Sequence, residues 1–313
     1  MSKQIIEKIK EIKEKIKAII LVHNYQLPEI QDIADFIGDS LELSRKAAQT
    51  DAKVIVFCGV HFMAETAKIL SPDKIVLMPD INAGCPMADM IDVEKVKKLK
   101  KEHPNAKVVS YVNTTADVKA ESDICCTSAN AIKIINSITD KEIIFLPDKY
   151  LGDYVSKQTS KNLLLCNGYC PTHIKILAED IKRKKQKHPY AEVIVHPECT
   201  PEVIALSDKV LSTTGMLKYA KQSKAKEIIV GTEVGIVYRL KKENPDKIFY
   251  PASELAICPN MKKNTLEKVL WALEEIYPVR KETIVKHEIK VDEKIRQKAK
   301  DAIDKMLQFS RID

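Results

Sequence analysis

Three Cys-Pro pairs, Cys85-Pro86, Cys170-Pro171 and Cys258-Pro259, lie 85 and 88 residues apart. That interval is the length of one small α/β unit, so three structural repeats are expected to deliver one thiolate each to a common centre. Thiolates are ligands of iron–sulfur clusters and of zinc. A centre with three protein thiolates leaves one metal position open, and open positions are where metal-assisted chemistry takes place.

The segments that must carry these cysteines repeat as well. A Lys-rich amphipathic stretch leads into AIILVHNY, another into KVVSYVN and a third into EVIVHPEC. These apolar runs end on His23, Tyr111 and His196, 88 and 85 residues apart. Seventeen residues further on stand Ser40, Ser128 and Thr213, each opening an apolar helical pattern, where an N-cap hydroxyl is expected. A second strand follows in each copy (KVIVFCG, EIIFLPD, EIIVGTE), and a third (DKIVLMPD, KNLLLCN, DKIFYPA) runs towards the Cys-Pro pair.

Strands alternating with helices imply parallel sheets covered on both faces. The expected fold class is α/β: three similar three-layer α/β/α domains that meet at one thiolate-lined centre. The repeats divide at 1–85, 86–170 and 171–258, with a C-terminal helical extension over 259–313. Ligands of such sheets collect at the C-terminal strand ends, beside helix N-termini that hold anions. Three strand-end side chains, three hydroxyls and three thiolates are therefore expected around one cavity.

Composition bounds the remaining possibilities. The 313 residues are 45% hydrophobic and 30% charged, with no apolar run long enough to span a membrane. The opening MSKQIIEKIKEIKEKIKAII reads as an amphipathic helix with Ile5, Ile9, Ile12 and Ile16 on one face, not as a signal peptide. Eight cysteines without an export signal point to reduced thiols or metal ligands and a cytoplasmic location. A net charge of +7 can help capture small anions, but no basic–aromatic motif of nucleic-acid readers is present. P-loop and G-x-G-x-x-G patterns are absent, so any phosphate is held another way.

From about residue 18 to about residue 275 the strings HNYQLPEIQDIADFIGDSLELSR, GCPMAD, YVNTTADVKAESDICCTSANA, NGYCPTH, VIVHPEC, GTEVG and CPNMKKNTLEKVL resemble the quinolinate synthase (NadA) family. The resemblance implies condensation of iminosuccinate (iminoaspartate) with dihydroxyacetone phosphate to quinolinate, with loss of phosphate and water. It implies that the three α/β/α domains stand in pseudo-threefold arrangement around a central Fe–S site, a 4Fe–4S cluster on Cys85, Cys170 and Cys258, and a functional link to the enzyme that supplies iminosuccinate. It places the dicarboxylate imine among His23, Ser40, Tyr111, Val112, Asn113, Ser128, His196, Pro197, Glu198 and Thr213. Tyr25, His196 and Glu198 are the implied proton-moving groups. Glu65 and Glu233 also fall in family strings, where helix surface or a supporting place serves equally well. Cys58, Cys125, Cys126, Cys166 and Cys199 read as small buried residues. Thr214 stands before Gly215 where a small residue is the family pattern, and no additional C-terminal cysteine motif is present. Three other readings stay open: a different Fe–S dehydratase, a non-catalytic Fe–S sensor, and a zinc site with His173 as fourth ligand.

Overall fold

The computed structural model describes residues 2–277 and 285–309. Its strands form three four-stranded parallel sheets of identical topology. The first sheet is built from β1 (Ala18–His23), β2 (Phe36–Gly38), β3 (Val54–Cys58) and β4 (Ile75–Leu77), with helices α1 (Ser2–Lys15), α2 (Pro28–Asp32), α3 (Ser40–Gln49) and α4 (His61–Leu70). The second holds β5 (Lys107–Tyr111), β6 (Ile124–Cys126), β7 (Glu142–Leu146) and β8 (Asn162–Leu165), with α5 (Val93–Glu102), α6 (Ala116–Ala120), α7 (Ala131–Ser137) and α8 (Lys149–Ser156). The third holds β9 (Glu192–Val195), β10 (Lys209–Val210), β11 (Glu227–Gly231) and β12 (Ile248–Pro251), with α9 (Ala178–Lys187), α10 (Pro201–Ile204), α11 (Thr213–Gln222) and α12 (Ile236–Glu243). The orders are β2-β1-β3-β4, β6-β5-β7-β8 and β10-β9-β11-β12.

In each sheet the chain moves one way from its first strand and then back to the other side. The crevice at that switch point lies outside the C-terminal strand ends. His23, Tyr111 and His196 stand there because β1, β5 and β9 are central, apolar and buried up to that residue.

Each repeat contains a fourth, short edge strand that sequence patterning does not reveal. β2, β6 and β10 are two or three residues long, too short to carry a period. Each follows an aspartate that accepts a backbone N–H from the central strand. Asp35 takes Ile20 at 2.8 Å, Asp123 takes Val108 at 2.8 Å, and Asp208 takes Val193 at 2.7 Å. The carboxylate satisfies a donor that the short edge strand does not reach.

One apolar core joins all three sheets, with Leu21, Val109 and Ile194 among its buried members. The C-terminal segment is shared between domains. Helix α13 (Leu266–Glu274) packs with α1 against the back of the first sheet, in a cluster of Ile9, Ile12, Val269 and Leu273. Helix α14 (Glu293–Phe309) brings Ala302, Ile303 and Met306 into the main core and packs on α6 and β6. Among the described residues no helix is long and apolar enough to cross a membrane.

Candidate active site

The three strand-end crevices open into one cavity that is partly open to solvent. Its wall includes His23, Tyr25, Ser40, Tyr111, Asn113, Ser128, His196, Glu198 and Thr213, and its floor carries Cys85, Cys170 and Cys258. Val112 and Pro197 do not face it, and the N–H of Val112 is spent on the Cys126 carbonyl at 2.9 Å. Glu233 and His173 also line the cavity, whereas Glu65 lines a neighbouring one with His61 and Asp89.

The thiols are presented alike. After each Cys-Pro pair the chain makes a short 3-10 turn: Ala88–Met90, His173–Lys175 and Met261–Lys263. Each sulfur then receives backbone N–H groups from the residues two and three positions on. These are Met87 and Ala88 for Cys85, Thr172 and His173 for Cys170, and Asn260 and Met261 for Cys258. Burial pushes the Cys85 thiol up to about 12 and raises Cys170 and Cys258 as well, against the pull of those N–H groups. Left alone, the three are protonated thiols. A metal replaces the proton, and the paired N–H donors then face a thiolate. The floor therefore fits a thiolate-bound metal centre.

A closer group, Cys170, His173 and Glu198, has ligand atoms all within 4.8 Å of one another. The His173 ring is already bracketed, with Nδ1 2.8 Å from Glu198 Oε2 and Nε2 2.8 Å from Thr232 Oγ1. A metal on His173 would therefore have to displace one of these two neighbours.

The hydroxyl rim differs from expectation, because none of Ser40, Ser128 and Thr213 is the N-cap of its helix. Helix α3 is capped by Asp39, whose Oδ1 accepts the N–H groups of Leu41 and Glu42 at 3.0 Å, and Ser40 is its first helical residue. Helix α11 is capped by Ser212, which accepts the N–H of Gly215 at 3.2 Å, and Thr213 follows it. Ser128 lies in the turn before α7, after Thr127. A cap side chain must turn back towards its own helix, so the next residue is the one free to face the cavity.

The two histidines have fixed tautomers. The Nδ1 of His23 accepts the N–H of Tyr25 at 3.2 Å, and the Nδ1 of His196 accepts the N–H of Glu198 at 3.3 Å. Burial, with Lys262 adding to it for His23, lowers both to about 3, so both are neutral. With Nδ1 accepting, Nε2 carries the hydrogen. In His196 that nitrogen lies 3.2 Å from Ser128 Oγ.

A chain of contacts crosses all three domains. Tyr25 Oη lies 2.6 Å from Thr232 Oγ1, which meets His173, which meets Glu198, whose Oε1 accepts from the Tyr111 hydroxyl at 2.5 Å. Burial acts to raise the Glu198 carboxyl. His173, then His196, and the contacts from His173 and Tyr111 outweigh it and hold the group well below the usual carboxylate range. Burial, with Glu198 nearby, pushes both phenols well above the usual tyrosine range, so each is a donor. Thr232 and the positioning role of His173 are not apparent from sequence. Their signals were the residue after the strand EIIVG and the third residue past Cys170.

The other cysteines are packing residues. Cys58, Cys125, Cys126 and Cys199 are fully buried, Cys166 packs half-buried under the second sheet, and all eight are free.

The family model described as "Quinolinate synthetase A protein" (NadA) matches residues 7–308. The chain is 58% identical over 303 residues to a quinolinate synthase of Dehalococcoides mccartyi (strain CBDB1), covering 97% of each chain. It is 56% identical over 308 residues to one of Thermodesulfovibrio yellowstonii, covering 98% of this chain and 99% of the other. To quinolinate synthase 1 of Methanosarcina acetivorans it is 54% identical over 303 residues, with 97% of each chain covered.

Proposed function

This chain belongs to the quinolinate synthase (NadA) family, enzymes of NAD biosynthesis, and we propose that its three-domain cavity condenses iminosuccinate with dihydroxyacetone phosphate to quinolinate, releasing phosphate and water. The observation that carries this reading is the convergence of three similarly built Cys-Pro turns and a chain of polar side-chain contacts on one cavity.

Cys85, Cys170 and Cys258 would hold a 4Fe–4S cluster, one from each of the repeats 1–85, 86–170 and 171–258. When bound, the cluster supplies an iron with an open position, a Lewis acid that helps a hydroxyl leave as water. The protein's own groups do the rest. Ser40, Ser128 and Thr213, with Asn113 and the Nε2–H of His23 and His196, donate to the carboxylates of the imine. Neutral donors hold an anion without setting fixed charges against the cluster thiolates.

Tyr111 and His173 hold Glu198 ionised and oriented at the wall. A substrate that displaces one of these partners raises its basicity, and it then accepts a C–H or N–H proton. Tyr25 donates to a leaving oxygen, with Thr232 and His173 behind it to restore its proton. The buried walls keep bulk water from competing for these protons. Eight free thiols suit the reducing cytoplasm, where the enzyme supplying iminosuccinate would feed this one.

The test is anaerobic assay of reconstituted protein with both substrates, following quinolinate by chromatography. A brown, iron- and sulfide-containing preparation that makes quinolinate is expected. A fully loaded protein that makes none refutes the reading.

A further inference from the structure

Two buried carboxylates outside the proton-carrying chain occupy equivalent places. Asp148 stands two residues after β7 and Glu233 two residues after β11, while the first domain has Val60 at that place after β3. Asp148 is fully buried and caps α8 by accepting from Tyr150 and Leu151 at 2.8 Å. Glu233 is fully buried too. Its Oε1 accepts the backbone N–H of Cys258 at 3.1 Å and its Oε2 that of Gly235 at 2.7 Å.

Glu233 has a counter-ion with a second attachment. Lys262, four residues after Cys258, brings its Nζ to 2.9 Å from Glu233 Oε1 and donates to the backbone carbonyl of Tyr25. The space is filled. A Cβ on Gly235 would lie 2.7 Å from Lys262 Nζ, 2.7 Å from the Tyr25 carbonyl and 2.8 Å from Glu233 Oε2.

We propose that Glu233 and Lys262 are positioning residues that clamp the Cys258 turn of the third domain to the Tyr25 turn of the first. The pair thereby holds one cluster thiol and the Tyr25 phenol in a single geometry. This rests on the cluster reading given above. A carboxylate that holds the Cys258 N–H fixes the main chain from which the Cys258 sulfur projects. The Tyr25 carbonyl, tied to the same ammonium, fixes the main chain from which its phenol reaches Thr232, the residue next to Glu233. A buried carboxylate left without its cation is strongly unfavourable, so the two act as a unit.

The test compares anaerobically reconstituted wild type with Lys262→Met, Lys262→Arg and Glu233→Gln. Iron and sulfide per chain, iron loss to a chelator, the electron-resonance spectrum of the reduced cluster, kcat, KM and apo melting temperature are all measured. Lys262→Met and Glu233→Gln are expected to lose iron about tenfold faster and to lower kcat about tenfold, with KM nearly unchanged, as expected of groups that orient metal ligands. Lys262→Arg should restore most of the chelator resistance, and the reduced-cluster spectrum should shift in the other two variants. Should Glu233→Gln fail to fold, Lys262→Met, whose side chain is partly exposed, decides alone. Wild type that takes up no cluster overturns the cluster reading and the clamp with it. Loaded wild type with both variants within about twofold of it in iron loss and kcat overturns the clamp alone.

Discussion

Removing the rim hydroxyls one at a time separates binding from folding, because the structure assigns the helix caps to other residues. In Ser40→Ala the Asp39 carboxylate still caps α3. The usual loss of about 0.5–2 kcal/mol for a missing cap therefore does not apply. Ser128→Ala removes a partner of His196 Nε2 and likewise spares a cap. Thr213→Val leaves Ser212 capping α11 but loses the hydrogen bond that Asn24 Nδ2 donates to Thr213 Oγ1 at 2.9 Å. Its fold should weaken by a further ~1 kcal/mol. A donor to a bound carboxylate contributes about 1.5–3 kcal/mol. At about 1.4 kcal/mol per decade, each substitution should weaken a non-reactive four-carbon dicarboxylate roughly tenfold to a hundredfold. Calorimetric titration gives the affinities, and melting curves on the same samples give the stabilities. Ser40→Ala and Ser128→Ala should melt within a few degrees of wild type, with Thr213→Val somewhat lower. If all three bind normally and melt early, the hydroxyls serve the fold and no three-sided anion cradle exists.

Three further outcomes follow from the site. Alanine at Cys85, Cys170 or Cys258 should leave a folded chain without a stable cluster, and full iron and sulfide loading in any one variant would remove that cysteine from the ligand set. Glu198→Gln and Tyr25→Phe should keep the cluster spectrum and lose turnover by about 10²–10⁴; near-normal rates of quinolinate formation in either would move proton transfer elsewhere. His23 and His196 are held neutral at about 3 in the fold. Against an unfolded value of about 6.5, the unfolded chain binds more protons between those limits. Stability is then full above pH 6.5 and falls as the solution is acidified towards pH 3, by about 2 kcal/mol per histidine at pH 5. Urea midpoints of the apoprotein at pH 7 and pH 5 measure this, and a histidine-to-glutamine change should flatten the slope.

The large repeat was legible in sequence because it needs only one marked residue per unit. Cys-Pro pairs, strand-end residues and hydroxyls each recur at 85 or 88 residues, and the structure brings them to one cavity. Features built on two or three residues were hidden. The edge strands β2, β6 and β10 carry no period, although Asp35, Asp123 and Asp208 before them recur at the same 88 and 85 residues. The cap was misplaced by one residue because Asp39-Ser40 and Ser212-Thr213 each offer two capping types in a row, and only backbone geometry chooses. The C-terminal segment showed an amphipathic pattern without revealing its partners. Its apolar stripes are matched to α1 in one case and to α6 in the other, matches that depend on the folded arrangement.

Threefold repetition explains how the cavity is built, and departure from it explains how the cavity can react. Residues at equivalent places in the three units differ along the contact chain for which proton transfer is proposed. Two residues past the strand-end positions stand Tyr25, Asn113 and Glu198: a donor, an amide and a carboxylate. Three residues past the cysteines stand Ala88, His173 and Met261, of which only the histidine can relay. One residue past the second long strand of each unit stand Gly59, Pro147 and Thr232, and only threonine carries a hydroxyl. The chain Tyr25–Thr232–His173–Glu198–Tyr111 takes the reactive variant from each set. Three copies of the Glu198 carboxylate would put like charges around one anion, and these repel strongly in a buried site. The fold supplies the convergence and the substitutions supply the polarity. Exchanging equivalent residues between domains, for example Glu198→Asn with Asn113→Glu, takes the carboxylate out of its contacts with Tyr111 and His173 and should therefore preserve iron and sulfide per chain while abolishing quinolinate formation.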